Sequence, residues 1–529
     1  MNNKFRISWS TILISVGSLL FMVIVLGPLI GLVLKWVQAQ KIPSDFWQLI
    51  IPSGRRLLLL SKTVSYSLGV SVITLLIGFT GAFALLRRPG RLSRTILWWS
   101  VATVAVPPYI HALSWSSALY YFNQSMEFFT GWRLPVEGWR VSLWVQSMAL
   151  LPFALGLSLM ALACVEQNLV KAGYMLQSDR QVMKQVILPL AAPVLAGAGL
   201  LIFLLTLMDY SVPSLFQVNI YPLEIFAEFS ATNDPLRALL LALPLVILAV
   251  IIAGAAGLTW KKASVQPGFG FLEWLPTFRG WPGWRLFERI SVTLMVLQII
   301  VPILMLLKLV GSWQSFVVSL ASSKIEIAYT FGIMFITAAA ALPLAYAVAI
   351  WLNQRSRFFL GGLPALFPLV MPAPLIGIGL INLWNRPETS AVYGTFLMTV
   401  MAALSRFSPW AVMILQAQLS RQNKVYLEAA RILQKNGHQT FFKITLPMMS
   451  PGFIAAASLV FILTGGELGA TLLVVPPGQG TLTLKIYNYL HYGSSDQVAG
   501  LCLLIALISA VVGFVLIKSV LRMWGGEDD

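Results

Sequence analysis

The chain has 529 residues, of which 58% are hydrophobic and only 10% are charged, and its mean hydropathy is +0.81. A soluble domain usually carries roughly 25% charged residues because its surface must be solvated, so this composition excludes an ordinary soluble protein. The net charge of +17 comes from short basic clusters between apolar runs, which is typical of anchors facing anionic lipid and not of a nucleic-acid-binding domain.

The apolar runs predict an all-α, polytopic membrane protein, because a helix needs about 20 apolar residues to cross the hydrocarbon core. The first run follows Lys4 and Arg6 and is too long for a signal-peptide core, so we interpret it as an uncleaved helix. About twelve spans are expected. They lie near 11–34, 64–86, 95–121, 141–164, 190–215, 236–258, 288–310, 327–351, 359–384, 391–417, 450–475 and 497–521.

The basic residues predict the orientation of these spans. With the N-terminus inside, most Lys and Arg fall on internal segments, as the positive-inside rule requires, and both termini lie in the cytoplasm. The first external loop is an exception. Its five basic residues are Lys35, Lys41, Arg55, Arg56 and Lys62.

Two internal segments, 166–189 and 424–447, are too polar to cross a membrane and too regularly patterned to be loops. Each ends in a Leu-Pro pair, and an acidic residue follows 20 positions after each proline. These residues are Leu188, Pro189 and Asp209 in the first copy, and Leu446, Pro447 and Glu467 in the second. We interpret the recurrence as an internal duplication.

The duplication predicts two homologous halves of six spans each. The first repeat covers 1–260, a cytoplasmic linker covers 261–287, and the second repeat covers 288–529. Because both polar segments lie on the same side, the repeats are parallel and are related by an axis along the membrane normal. Such an axis places a translocation pathway between the halves.

The second polar segment carries a specific motif. Glu428-Ala429-Ala430, followed by Ile444, Leu446 and Pro447, resembles the EAA motif of ABC-importer permeases, with Gln434 in place of the family's glycine. This resemblance implies a type I permease fold and a short helix that docks in a cleft of a cytosolic ATPase. It also implies two copies of that ATPase, an external solute-binding protein, and a place in the bacterial inner membrane.

The first copy of the motif is degenerate. It keeps Ala172, Val186, Leu188 and Pro189. Val170 stands where the acid belongs, Lys171 replaces an alanine and Leu176 replaces the glycine. The two halves are therefore expected to grip their ATPases unequally.

The sequence contains no GxxxxGK[ST] phosphate loop, so ATP hydrolysis is expected on another polypeptide, and neither an enzyme activity nor a cofactor is predicted for this chain. His111, His438 and His491 lie on separate segments and predict no metal site. Lipid is the expected surroundings, and no nucleic-acid partner is expected.

The charged residues within apolar spans include Asp209, Arg406 and Glu467. A charge at mid-bilayer costs about 2.5–3.5 kcal/mol on insertion scales, so such residues usually face a cavity or a partner. The matched positions of Asp209 and Glu467 favour a role for both in lining the translocation pathway, to which Arg406 is also assigned. The alternative is that each acid snorkels to water at the interface.

The residues after Glu467 bear on the substrate. The stretch 465–478 resembles the ELPATLLLRPPG-type segment of iron(III) permeases, with Gly469 in place of the proline. A similar phrase occurs in molybdate and sulfate permeases, and thiamine permeases share the fused length. Iron(III) is therefore the favoured substrate, with thiamine, molybdate or sulfate, or another small solute as alternatives.

Two other classes of protein would leave different patterns in the sequence. An ion-gradient-driven secondary transporter also has twelve helices in two halves, but it should show coupling sites near the midplane and no docking helix. A membrane-embedded enzyme should show clustered polar catalytic residues, and the sequence offers none with suitable spacing.

Overall fold

The computed structural model describes residues 9–38, 43–88, 90–262, 278–354, 370–422, 437–492 and 495–524. Within these ranges the secondary structure is helical and contains no strand, which confirms the predicted all-α class. The helices of the first part of the chain are α1 (Trp9–Gln38), α2 (Phe46–Ile50), α3 (Gly54–Arg87), α4 (Arg91–Ala102), α5 (Pro108–Thr130), α6 (Trp139–Ala163), α7 (Gln167–Leu176), α8 (Asp179–Val182), α9 (Leu188–Met208), α10 (Ser211–Leu215), α11 (Tyr221–Thr232) and α12 (Pro235–Lys262).

The described helices of the second part follow in chain order. They are α13 (Pro282–Val310), α14 (Trp313–Ala321), α15 (Lys324–Gln354), α16 (Ala373–Trp384), α17 (Phe396–Arg421), α18 (Gly437–Thr440), α19 (Leu446–Gly465), α20 (Thr471–Val474), α21 (Leu482–Tyr492) and α22 (Ser495–Trp524). The helices α9 to α12 correspond in order to α19 to α22. This order supports the predicted duplication, whose boundaries stay a prediction.

Within the described ranges, ten helices are long and apolar enough to cross a membrane, which confirms a polytopic chain. The predicted span 95–121 is not one helix, because Pro107 and Pro108 interrupt it between α4 and α5. Proline fixes its own φ and lacks an N–H, so the helix stops and starts again at the second proline. The predicted span 359–384 lies partly outside the described residues, which resume at 370 and contain α16.

The chain forms two compact units that do not follow the predicted repeats. Unit 1 comprises Met1–Lys41, Ile325–Leu484 and Val515–Asp529; unit 2 comprises Ile42–Lys324 and Lys485–Phe514. The helix α1, which opens the first part of the sequence, therefore lies in unit 1 with helices of the second part. The helix α13, which opens the second part, lies in unit 2 with helices of the first part.

In unit 1, α1 packs against α16 and α17. The contact with α16 brings backbones together, since a Cβ added at Gly379 would lie 2.1 Å from the Pro28 carbonyl oxygen. In unit 2, α3, α6 and α9 pack against one another around a core that includes Phe83, Met148 and Leu155. The helix α13 lies against α3 and α5 of the same unit.

Candidate functional site

Each unit contains an apolar helix that is followed within two residues by an acidic residue. In unit 2, α9 ends at Met208, and Asp209 Oδ1 accepts hydrogen bonds from the Ser211 backbone N–H at 2.9 Å and from Ser211 Oγ at 2.7 Å. In unit 1, α19 ends at Gly465, and Glu467 Oε1 accepts a bond from the Ala470 N–H at 2.6 Å. Both carboxylates thus satisfy N–H groups where the next short helix begins.

The two acids differ in the side chain that faces them. Asp209 Oδ2 accepts a bond from Gln146 Nε2 of α6 at 3.0 Å, whereas Glu467 forms an ion pair with Arg406 of α17. Glu467 is buried, with 4% of its surface exposed, while Asp209 is half-buried. The Glu467 site is therefore electrically neutral, and Asp209 has no ion-pair partner among the described residues.

This geometry identifies the partner of Arg406, which the sequence left open. It also adds Gln146, a residue that sequence reasoning missed. A glutamine inside the apolar run of α6 was the available signal, since a buried amide needs a hydrogen-bond partner. A buried charge is tolerated when it is paired and hydrogen-bonded, which applies to Glu467.

The first cytoplasmic segment, which is the name used here for the predicted segment 166–189, is fully described and has an exposed side. Met175 and Leu176 at the end of α7 are each 87% exposed, and Ala172 is exposed as well. Val170, which occupies the position of the motif's acid, is completely buried. The segment thus retains an apolar outer surface while its acid position has become part of the core.

The other residues predicted to couple to an ATPase are placed as follows. Val186, Ile444 and Leu446 are half-buried, whereas Leu188, Pro189 and Pro447 are exposed. Glu428, Ala429 and Ala430 lie outside the described residues.

Both segments make a π-helical turn directly before the Leu-Pro pair, at Met183–Ile187 and at Phe441–Thr445. A proline cannot donate to the carbonyl four residues earlier, and its ring clashes with that carbonyl in an α-helix. The wider π-turn accommodates the proline and lets the helix continue into the apolar run. The two copies therefore share a backbone feature that joins each segment to α9 or α19.

Two of the five basic residues in the predicted first external loop, Arg55 and Arg56, form ion pairs in the structure. Arg55 pairs with Glu224 at 3.1 Å and Arg56 pairs with Glu228 at 3.4 Å, both acids lying on α11. Arg237 also binds Asp45 at 2.8 Å, and this hydrogen bond holds the pKa of the Asp45 carboxyl below its ordinary value. These basic residues thus form ion pairs on one face of unit 2.

The histidines are not brought together among the residues that the structure describes. His111 is completely buried in α5, and the side chains of His438 and His491 are not described. Within the described ranges, no three His, Cys, Asp or Glu side chains form a group that could hold a metal ion.

Comparisons with known proteins agree with this architecture. Residues 341–522 match the family described as the binding-protein-dependent transport system inner membrane component. The chain is 25% identical to the Fe(3+)-transport system permease protein FbpB 2 of Haemophilus influenzae over 62% of this chain and 66% of that protein. The match thus covers about two thirds of the length of that relative.

Two further relatives are shorter proteins. The molybdenum transport system permease protein ModB of Haemophilus influenzae is 30% identical over 32% of this chain and 81% of its own length. The putrescine transport system permease protein PotI of Escherichia coli is 27% identical over 28% of this chain and 54% of its own length. With its apolar helices and these matches, the chain belongs to the family of binding-protein-dependent transport system inner membrane components and is a multi-pass membrane permease.

Proposed function

We propose that this permease is the transmembrane subunit of an ATP-driven importer and that a separate cytosolic ATPase drives it through the segments 166–189 and 424–447. The match of residues 428–447 to the EAA motif carries the proposal. The exposed apolar end of α7, at Met175 and Leu176, supports a protein contact at the first segment. Both termini lie in the cytoplasm, and one ATPase copy binds each segment.

The chain itself supplies the pathway, while ATP hydrolysis and solute capture belong to partner proteins. Such a passive gate works because each partner binds its inward and outward states with different affinity. Asp209, Glu467 and Arg406 are assigned to the pathway. The helix breaks between α9 and α10 and between α19 and α20 support this assignment. Irregular backbone at membrane depth is tolerated only inside protein or beside a water-filled cavity.

Ferric iron is the proposed substrate, supported by the iron(III)-type segment and by the iron transport relative. The half-buried Asp209, which has no ion-pair partner among the described residues, favours a cation over an oxyanion. Molybdate is the alternative that needs testing, because the relative ModB is a molybdenum transport system permease protein.

The docking assignment is tested by reversing a charge in the motif. Glu428→Lys and Ala430→Trp should abolish copurification of the ATPase while leaving the permease folded and inserted. Glu137→Lys is the matched control, because Glu137 is an exposed acid on the opposite predicted side. Normal copurification and uptake in both motif variants would contradict the assignment.

The energy source and the substrate are tested in proteoliposomes that contain permease, ATPase and binding protein. Uptake of radiolabelled ferric iron should require ATP and exceed uptake of molybdate. Uptake that persists without ATP and stops when an ionophore is added would instead indicate an ion-gradient-driven transporter.

A further inference from the structure

The described chain resumes inside the predicted linker 261–287. We name its residues 278–284, which run into the first turn of α13, the strap. Its backbone is bound by Asp179, the first residue of α8 in the first cytoplasmic segment. Asp179 Oδ2 accepts hydrogen bonds from two consecutive backbone N–H groups, those of Arg279 at 2.8 Å and Gly280 at 2.7 Å. Consecutive amides that converge on one carboxylate form an anion-binding concavity.

The left-handed backbone at Gly280 makes this convergence possible. Its φ is +69°, and an added Cβ would lie 3.0 Å from Trp284 and 3.1 Å from Phe278. A side chain at this position would therefore be strained and crowded. The glycine fits the strap closely onto the segment below it.

The other side of the strap is bound by α3. Arg87, the last residue of α3, donates from Nη1 to the carbonyl oxygens of Phe278 at 3.3 Å and Arg279 at 3.0 Å. Its second nitrogen pairs with Glu288 of α13, and both side chains are buried. The Trp284 indole N–H donates to the same Glu288 at 2.8 Å. One arginine therefore joins α3, the strap and α13.

Aromatic packing completes the junction. The Phe83 ring of α3 makes edge contacts with Phe278 at 4.8 Å and with Trp284 at 5.4 Å. Arg180, next to Asp179, lies over the Trp281 ring at 5.9 Å. Such edge-to-face contacts add specificity beyond the buried area.

The helices α3 and α13 are also bound directly to each other. The hydroxyls of Thr80 and Ser291 are 2.5 Å apart, and Gly81 lies against Met295. A displacement of the first cytoplasmic segment that reaches the strap thus reaches two helices that are joined where α3 ends, at 80–87, and where α13 begins, at 288–295. Interfaces of this kind transmit displacement because protein interiors are densely packed.

We infer that the strap couples the first cytoplasmic segment to α3 and α13, with Asp179 and Arg87 as positioning residues. The hydrogen bonds that hold the strap to both stay formed during transport. This inference rests on the proposed function. The first segment lacks the motif's acid, and Val170 at that position is buried. The strap provides an internal attachment by which the degenerate segment still moves the membrane helices.

The inference is tested by measuring how much solute is moved for each ATP hydrolysed. In proteoliposomes supplied with radiolabelled ferric iron, Asp179→Ala should lower this ratio about fivefold, the lower end of typical coupling between sites, while ATP hydrolysis continues. Asp179→Asn should give a smaller loss, because its amide oxygen still accepts a hydrogen bond. Asp234→Ala is the matched control, since Asp234 accepts the N–H of Leu236 at 2.9 Å and caps only α12.

A wild-type permease with no ATP-dependent uptake would refute the proposed function itself. A coupled wild type whose ratio is the same in Asp179→Ala and Asp234→Ala would refute only the role of the strap.

A second measurement does not depend on the folding of Asp179→Ala. Asp179→Cys and Arg279→Cys are combined in a chain whose native cysteines, Cys164 and Cys502, are changed to alanine, with a protease site inserted between residues 262 and 278. Oxidation should keep the cleaved fragments joined, and the crosslinked permease should retain uptake. Failure to crosslink, or a loss of uptake that reduction restores, would overturn the inference.

Discussion

The two broken helices have the same backbone arrangement but different charges. After α9, Asp209 caps α10 and accepts a hydrogen bond from the neutral amide of Gln146. After α19, Glu467 accepts a hydrogen bond from the Ala470 N–H and forms an ion pair with the guanidinium of Arg406. The first acid is half-buried and the second is buried. The backbone need for a cap is thus met in both places, while only the Glu467 carboxylate has an ion-pair partner among the described residues.

The largest expected effect is the difference in stability lost when the partner of each acid is removed. Arg406→Ala leaves Glu467 buried without its cation and should lower the free energy of unfolding by about 3–5 kcal/mol. Gln146→Ala removes a neutral donor from a half-buried carboxylate and should lower it by about 1–2 kcal/mol. Thermal unfolding of each variant in detergent measures the difference.

The control for this comparison removes both charges. The double change Arg406→Ala with Glu467→Ala should recover part of the loss, because no uncompensated charge remains. Equal losses for Arg406→Ala and Gln146→Ala would show that the two acids lie in equivalent surroundings.

The close contacts of α1 and of α13 give a second comparison. Gly379→Ala places a Cβ 2.1 Å from the backbone oxygen of Pro28, whereas Gly81→Ala meets the flexible end of Met295. Backbone cannot move aside as a methionine can. We expect Gly379→Ala to destabilise the protein by about 1–3 kcal/mol and Gly81→Ala to cost less, measured by the same unfolding assay.

The rate of transport should depend on Asp209, whereas the stability of the protein should depend mainly on the Glu467 site. Asp209→Asn keeps the cap acceptor but removes the negative charge, so ferric iron uptake should slow about tenfold, which corresponds to about 1.4 kcal/mol, with little change in melting temperature. Asp234→Asn, a change in another helix cap, should leave uptake unchanged. Unaltered uptake in Asp209→Asn would assign Asp209 to structure alone.

The smallest effect concerns the ion pairs of unit 2. Because Arg237 lowers the folded-state pKa of Asp45, the pair adds stability above the ordinary pKa of about 3.9 and loses it as pH falls through the lower folded value. The pair is partly exposed, so we expect less than about 1 kcal/mol. The free energy of unfolding, measured at several pH values between 6 and 3, should depend less steeply on pH in Arg237→Gln than in the wild type. An unchanged slope would contradict this contribution.

The sequence predicted the residues that repeat, but it could not predict what lies opposite them. Asp209 and Glu467 were found from a fixed interval after Pro189 and Pro447, since covalent spacing survives duplication. Gln146 and Arg406 lie on other helices, and only packing brings them to the acids. The strap was missed for the same reason, because Arg87, Asp179 and Glu288 are far apart in the chain.

The sequence by itself determined that this protein lies in lipid and that it is helical. Runs of about 20 apolar residues have to be helical in lipid, because every backbone polar group must be satisfied within its own segment. The tertiary structure decided which helices form each unit, since α1 and α13 are placed by shape complementarity and not by their order in the chain. It also decided which buried charges are neutralised, because an ion pair depends on distances in space that the sequence does not specify.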